Sequence, residues 1–156
     1  MFNGKLEIYE KSQFLFLLNR EKERALRYRR NLSLVVFSII QQDGINPNGH
    51  KPPEGNSTEP LIEVLKHQIR CTDMIGKLDE HRVSAILLEA NQRDAKRIAK
   101  RIQQVIENQT VTELSDRCKT IFLGGVCYPK SEIDPSDFLN MSISGGADFL
   151  LRINVQ

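Results

Sequence analysis

The sequence has no long apolar run and little net charge. The longest nearly apolar stretch, residues 32–40, contains two serines. A transmembrane helix needs about 20 apolar residues, so we expect no membrane insertion. The N-terminus also lacks the apolar segment of a signal peptide. The 22 basic and 20 acidic side chains leave a formal charge of +2, which predicts no basic arm for nucleic acid.

Cysteine is scarce as well. Cys71, Cys118 and Cys127 are odd in number and form no CxxC pair. This scatter favours reduced thiols over a disulfide framework or a zinc site. We therefore expect a cytoplasmic protein.

What the sequence does contain suits one domain. Its 156 residues are 40% apolar and 27% charged, which suffices for one hydrophobic core. We expect a single domain over residues 1–156. The stretch at about residues 41–60 is polar and rich in proline and glycine, and it predicts a flexible loop.

The first half of the chain predicts a helix, a strand and a second helix. Over residues 12–30, one helical face collects the apolar side chains Phe14, Leu17, Leu18, Ala25 and Tyr28. Residues 32–40 are apolar at both odd and even positions, as expected of a strand that is covered on both faces. Ser57 or Thr58 can cap the second helix, which runs to about Arg70.

The second half predicts a hairpin, two helices and another strand. The hairpin has strands at 73–78 and 82–89, joined by the charged turn 79–81. Asn91 caps the most regular helix of the chain, and residues 120–127 form a strand. Asp134-Pro135 opens a short helix, while residues 148–155 fit a helix or a strand. This order predicts one sheet with helices packed on it.

A resemblance emerges from several short segments in one consistent order. The segment from Arg24 to Leu34 resembles the helix-to-strand entry of GGDEF domains, the diguanylate cyclase family. Arg70-Cys71-Thr72-Asp73 is similar to the RxxD element of the family. With the family's spacing, the signature pentapeptide falls on Asp79-Glu80-His81-Arg82-Val83. Leu123-Gly124-Gly125-Val126 and Ala147-Asp148 are similar to later family segments.

The resemblance implies an α/β fold of the nucleotidyl-cyclase type. Such a fold is an α+β sandwich related to the ferredoxin-like fold. Its central sheet is mainly antiparallel, and helices pack over it.

The signature positions depart from those of an active cyclase. In the family, glycines of the hairpin let the backbone approach the phosphates of GTP, and acidic residues help to hold two magnesium ions. Here Asp79 and Glu80 replace the glycines, His81 and Arg82 replace the acidic pair, and Val83 replaces a phenylalanine.

The first strand departs in the same way. Ser38 and Ile40 occupy positions where the resemblance implies acidic metal ligands. Magnesium prefers carboxylate oxygens in octahedral geometry, which these residues do not supply. The resemblance therefore implies a degenerate, catalytically inactive domain with no catalytic residues, no metal and no cofactor.

An inactive domain of this kind is expected to act through a partner. The turn from Gly76 to Arg82 is similar to that of degenerate relatives in bacterial signalling, which serve as regulatory or protein-interaction modules. The expected partner is another protein or a neighbouring domain. Dimerisation is left open.

Two alternatives remain. In cyclases with an RxxD element, its arginine and aspartate bind cyclic di-GMP as a regulatory ligand, so Arg70 and Asp73 are the candidate ligand-binding residues. The plain interpretation is that both residues only end a helix. An active diguanylate cyclase is the less favoured alternative.

Two basic runs stand apart from these motifs. Residues 20–30 hold six Lys and Arg against two acids, and residues 93–101 hold five against one. Either run can meet a phosphate-rich ligand, although most runs of this kind are solvated helix faces.

Overall fold

A computed structural model of the chain describes residues 7–41, 58–108, 118–131, 133–140 and 146–155. Its strands are β1 (Ile8–Glu10), β2 (Leu32–Gln41), β3 (Met74–Lys77), β4 (Arg82–Leu88), β5 (Cys118–Tyr128) and β6 (Phe149–Asn154). Its helices are α1 (Lys11–Tyr28), α2 (Glu59–Gln68), α3 (Gln92–Asn108) and α4 (Pro135–Asn140).

The strands form one six-stranded sheet in the order β1-β3-β4-β2-β5-β6. The pairing of β1 with β3 is parallel, and the other four pairings are antiparallel. The prediction of a mainly antiparallel central sheet is therefore confirmed. So is the hairpin, since β3 and β4 pair directly across the charged turn.

Strand β2 is covered on both faces, as its apolar pattern predicts. Val35, Phe37 and Ile39 belong to a core that includes side chains of α2 and α3. Leu34 and Val36 belong to a second core on the opposite face, beneath α1 and α4. Successive side chains of a strand point to opposite faces, so a strand between two helical layers needs apolar residues at every position.

The cap of α3 follows from local hydrogen bonds. The Asn91 side chain accepts a hydrogen bond from the Asp94 amide at 2.9 Å, and the Asp94 carboxylate accepts one from the Asn91 amide at 3.2 Å. This reciprocal pair has the hydrogen bonds of a capping box, with Asn and Asp in place of the usual Ser or Thr and Glu or Gln. It confirms Asn91 as the cap. Ser136 N–H likewise donates to the Asp134 carboxylate at the start of α4.

Some expectations were wrong in detail. Tyr28 is 60% exposed, because α1 ends there and Arg29 turns the chain away with a φ of 54°. Glu21 occupies the buried face between Leu18 and Ala25 instead. Helix α2 ends at Gln68, short of Arg70.

Other predictions were incomplete. Strand β1 was not predicted, because three residues are too few to show a period of two. Residues 149–154, left open between helix and strand, form β6. Residues 42–57 of the predicted loop lie outside the described residues.

Two of the three cysteines lie in different environments. Cys71 is exposed and Cys127 is buried, and burial raises the pKa of the Cys127 thiol.

No helix within the described part of the chain has both the length and the apolar character that crossing a membrane requires.

Candidate functional site

The carboxylate of Asp73 joins three segments of the chain. Its side chain is fully buried. It accepts hydrogen bonds from the backbone amide of Arg70 at 3.0 Å and from that of Leu88 at 3.1 Å. The loop after α2 is thereby attached to the end of β4. Because both carboxylate oxygens already accept these hydrogen bonds, the main role of Asp73 is to stabilise the contact between the loop and β4.

Arg70 differs from Asp73 in being accessible. Its side chain is 54% exposed, and its guanidinium lies 3.5 Å from both carboxylate oxygens of Asp73. It also donates to the carbonyl of Leu88. Asp73 and Leu88 therefore hold the Arg70 side chain in place, while part of its guanidinium group faces solvent.

A cleft of about 440 Å³ opens beside Arg70. The end of α1 and the segment between α1 and β2 supply its other basic and aromatic side chains, Arg24, Tyr28 and Arg30. Two acids moderate this charge, since Glu21 lies 3.4 Å from Arg24 and Glu89 lies 3.2 Å from Arg30. Sequence reasoning did not place these side chains near Arg70; the basic run at residues 20–30 was the only signal.

Arg101 approaches the same loop from α3. Its guanidinium donates to the carbonyl of Gln68, at the end of α2 and two residues before Arg70. Arg101 was noticed only as part of a basic run. Arg101 and Gln68 are far apart in the sequence, so their contact could not be predicted from it. The contact depends on how α3 packs against α2.

The turn at the signature positions is closed by its own charges. The carboxylate of Asp79 accepts hydrogen bonds from the His81 amide and from Arg82 Nε, both at 2.8 Å. Partial burial raises the pKa of Asp79, but the hydrogen bonds from Arg82 and His81 outweigh burial, and the pKa lies below its ordinary value. Glu80 is exposed at the tip.

Arg82 extends from this turn to α4, where it donates to the carbonyl of Leu139 at 2.6 Å. Arg82 also pairs with Ser38 in the β2–β4 ladder, and the amide of Ile39 donates to the His81 carbonyl at 2.7 Å. The structure thus brings the turn and the β2 positions together, as the resemblance implies. Val83 instead points into the core and is fully buried.

The sheet face beside this turn carries an apolar row on β2, β5 and β6. Ile40 is 45% exposed, Phe122 38% and Leu150 50%. Ser38 pairs with Phe122, and Leu150 pairs with Gly124, so the three apolar side chains follow a diagonal across the strands. Of the described elements, helices α1 and α4 cover the other end of this face, where the second core lies.

The residues around the turn do not fit a magnesium site. Ser38 offers one neutral hydroxyl, Ile40 offers none, and the neighbouring side chain of Arg82 is a cation. Nδ1 of His81 is buried and meets no hydrogen-bond partner in the described structure. A hard cation prefers carboxylate oxygens, which Ser38, Ile40, His81 and Arg82 do not supply, and the Asp79 carboxylate is bound to His81 and Arg82. Within the described ranges, no three His, Cys, Asp or Glu side chains form a group that could hold a metal ion.

Solved structures share this architecture. A GGDEF domain from Pseudomonas aeruginosa is 19% identical, with a TM-score of 0.67 over 90% of this chain and 83% of that chain. The active GGEEF domain of a Vibrio cholerae diguanylate cyclase is 18% identical, with a TM-score of 0.64 over 84% and 83%. A GGDEF domain from Caulobacter crescentus in complex with c-di-GMP is 12% identical, with a TM-score of 0.62 over 80% and 73%.

The chain has the fold of a GGDEF domain. The predicted nucleotidyl-cyclase-like fold class is thereby confirmed. The sequence itself matches no protein-family model and no curated protein. At these identities the similarity establishes the GGDEF fold alone, and the assignment of Arg70 and Asp73 to a ligand stays a prediction.

Substitution of Asp73 tests whether this residue stabilises the fold, independently of any ligand. In Asp73→Asn, an amide NH₂ replaces one carboxylate oxygen and faces a backbone N–H, so we expect a loss of about 1–3 kcal/mol in the free energy of unfolding. Arg70→Gln removes a half-exposed ion pair and should cost about 1 kcal/mol or less. Urea unfolding followed by circular dichroism measures both.

Asp137→Asn is the matched control, because Asp137 is an exposed aspartate on α4. It should change the unfolding free energy by about 0.5 kcal/mol or less. Equal stability of Asp73→Asn and the control would contradict the supporting role of Asp73.

The turn predicts a pH dependence. The pKa of Asp79 is lower in the folded chain than in the unfolded chain, so its ionised form stabilises the fold. That contribution is complete well above the unfolded pKa of about 3.9 and is lost as the pH falls through the folded pKa. The stability advantage of the wild type over Asp79→Asn should therefore be constant near neutral pH and shrink in acid.

Urea unfolding of both proteins over a range of pH measures this difference. Asp137→Asn again provides the reference. An advantage that stays constant or grows on acidification contradicts the ionised Asp79–Arg82 pair.

Proposed function

We propose that this chain is a catalytically inactive GGDEF-like domain, which acts as a regulatory or protein-interaction module in bacterial signalling. The observation that carries the proposal is the self-closed turn. Asp79 binds Arg82 at 2.8 Å, and Arg82 also binds the Leu139 carbonyl at 2.6 Å. The charges that replaced the signature residues thus stabilise the turn.

The electrostatics of the turn support the loss of catalysis. A divalent cation near Ser38 would meet the guanidinium of Arg82 where the resemblance implies a carboxylate. Phosphoryl transfer depends on cations that neutralise the charge developing on the transferred group. Replacement of a metal-binding carboxylate by a cation opposes that arrangement.

The tip of the turn supports the same conclusion. Asp79 and Glu80 stand where the resemblance implies glycines, and both are exposed. Their carboxylates would repel a triphosphate, and their side chains occupy the space next to the backbone. Two like charges about 4 Å apart already repel by about 1 kcal/mol in bulk water, and by more near a protein surface.

The apolar row of Ile40, Phe122 and Leu150 supports the interaction role. It lies on the sheet face beside the turn, where the resemblance implies the polar substrate site of a cyclase. Contiguous exposed apolar side chains are typical of surfaces that contact other molecules.

A turnover assay tests the absence of catalysis. The folded protein, incubated with GTP and magnesium, should form no cyclic di-GMP above the level of a buffer blank, whereas an active diguanylate cyclase in parallel should form it readily. Chromatography of the reaction mixture measures both. Product formation that disappears in Asp79→Asn or Glu80→Gln, and survives in Asp137→Asn, would overturn the proposal.

The second candidate function is a cyclic di-GMP receptor. The half-exposed Arg70, the nearby Arg101 and the cleft with Arg24 and Arg30 supply basic groups for two phosphates. Tyr28 offers an aromatic face to a base. The c-di-GMP complex of the Caulobacter crescentus domain supports the idea by analogy of fold. Because its carboxylate is buried, Asp73 would contribute by holding Arg70.

Calorimetry with cyclic di-GMP tests this candidate. If the chain is a receptor, Arg70→Ala and Arg101→Ala should each weaken binding about 10- to 100-fold, the value of a charge-assisted hydrogen bond. Arg27→Ala is the control, because Arg27 is an exposed arginine of α1 that does not line the cleft. No heat at high micromolar ligand, or equal binding by Arg70→Ala, would end this candidate.

A further inference from the structure

The outer face of α3 is a row of cations. We call Arg93, Lys96, Arg97, Lys100 and Arg101 the α3 stripe; all five are exposed. Their spacing of three, one, three and one residues keeps them on one side of the helix. The other side, with Ala95, Ala99, Ile102 and Ile106, is buried against the sheet. The stripe is therefore fixed in orientation and directed to solvent.

No acid within the helix neutralises the stripe. Asp94 accepts the amide of Asn91 at the cap, and Glu107 accepts the amide of Asn154 on β6 at 3.0 Å. Both acids of α3 are thus bound to backbone at the ends of the helix. Among the described residues, no carboxylate lies within ion-pair distance of the stripe.

The neighbouring helix α2 does not cancel this charge either. Its two exposed acids are Glu59 and Glu63; Glu63 is paired with Lys66 at 3.1 Å, and neither forms an ion pair with the stripe among the described residues. The whole chain carries a formal charge of only +2, whereas the stripe alone carries five cations. The stripe is therefore a local concentration of positive charge on the outer face of α3, separate from the basic run at residues 20–30 on the opposite side of the sheet.

We propose that the α3 stripe adsorbs to the surface of an anionic lipid bilayer. Clusters of four to eight Lys and Arg on a helix attract anionic headgroups electrostatically. The exposed face of α3 holds only the stripe and the amides Gln104 and Asn108, with no apolar side chain that could enter the acyl region. The domain thus binds at the headgroup level and does not insert.

The composition of this face argues against a protein partner. Protein interfaces are depleted of charge at their centre and enriched in aromatic anchors. The exposed face of α3 shows the reverse, since cations occupy its centre and aromatic residues are absent from it.

The shape of the face argues against nucleic acid. A helix enters a DNA groove only if it projects from the protein body, whereas the inner side of α3 lies flat on the sheet. The face has no aromatic side chain on which bases could stack.

Adsorption through α3 would orient the domain. The turn at Asp79 and the apolar row lie toward the other face of the sheet, which α1 covers in part. They would point away from the lipid and stay accessible. The inference is independent of catalysis, because neither the turn nor Arg70 contributes to the stripe.

Vesicle sedimentation tests the proposal with the full chain. One set of vesicles is phosphatidylcholine alone, and the other is an equal mixture of phosphatidylcholine and phosphatidylglycerol. We expect binding to the mixed vesicles at about 0.01 M ionic strength and its loss near 1 M, where the Debye length falls from about 30 Å to about 3 Å.

Two variants of equal charge locate the binding surface. Arg97→Gln/Lys100→Gln removes two cations of the stripe and should lower the partition to mixed vesicles about 20- to 30-fold, at the usual contribution of each cation. Arg27→Gln/Arg152→Gln removes two exposed cations from α1 and β6 and should bind almost as the wild type does. Circular dichroism confirms that both variants fold.

Four outcomes of the sedimentation experiments overturn the proposal. They are no binding to the mixed vesicles at low salt, equal binding to the neutral vesicles, an equal loss in the two variants, and retention of adsorption by the stripe variant. A competition experiment with a DNA duplex tests nucleic acid as the alternative ligand. If the duplex removes the protein from the mixed vesicles at equal charge concentration, nucleic acid is the better ligand and the proposal fails.

Discussion

The buried carboxylate of Asp73 is the constraint on which the candidate site depends. It binds the amides of Arg70 and Leu88 and so joins the loop after α2 to the end of β4. A buried charge is costly unless hydrogen bonds satisfy it, and here two backbone amides and a guanidinium do so. Because β4 is fixed at this end, its pairing with β2 places Arg82 beside Ser38 at the other end. The Asp73 carboxylate and the Asp79 turn thus hold the two opposite ends of the same hairpin.

The turn at the signature positions is held by contacts within the protein. In GGDEF cyclases, as the resemblance has it, the hairpin must stay open to phosphate and metal. Here Asp79 binds the turn's own amide and Arg82, and Arg82 reaches α4. A destabilised, open site is often the cost of catalysis, so contacts that close a turn favour stability instead. This physical difference is the reason for proposing that the turn no longer serves catalysis.

Local patterns predicted most of the fold but little of the site's orientation. The sequence is sufficient for β2, the hairpin and the Asn91 cap, because residues close in sequence determine them. It could not predict that Asp73 points inward, since one of its partners, Leu88, is 15 residues away. Arg101 beside the α2 terminus likewise depends on helix packing. Tyr28 was misplaced because helical periodicity does not reveal where α1 ends.

Near-neutral net charge conceals a separation of charge in this fold. Four acids are bound to backbone: Asp73 and Asp79 bind backbone amides, Asp94 caps α3, and Glu107 binds the edge of β6. Among the α3 cations, Arg101 donates to the Gln68 carbonyl, and all five face solvent on one side of the sheet. The field beside α3 is therefore governed by these cations, even though acids and bases are almost equal in number. The outer face of α3 is therefore cationic, whereas the other side of the sheet combines the apolar row with the basic residues of α1.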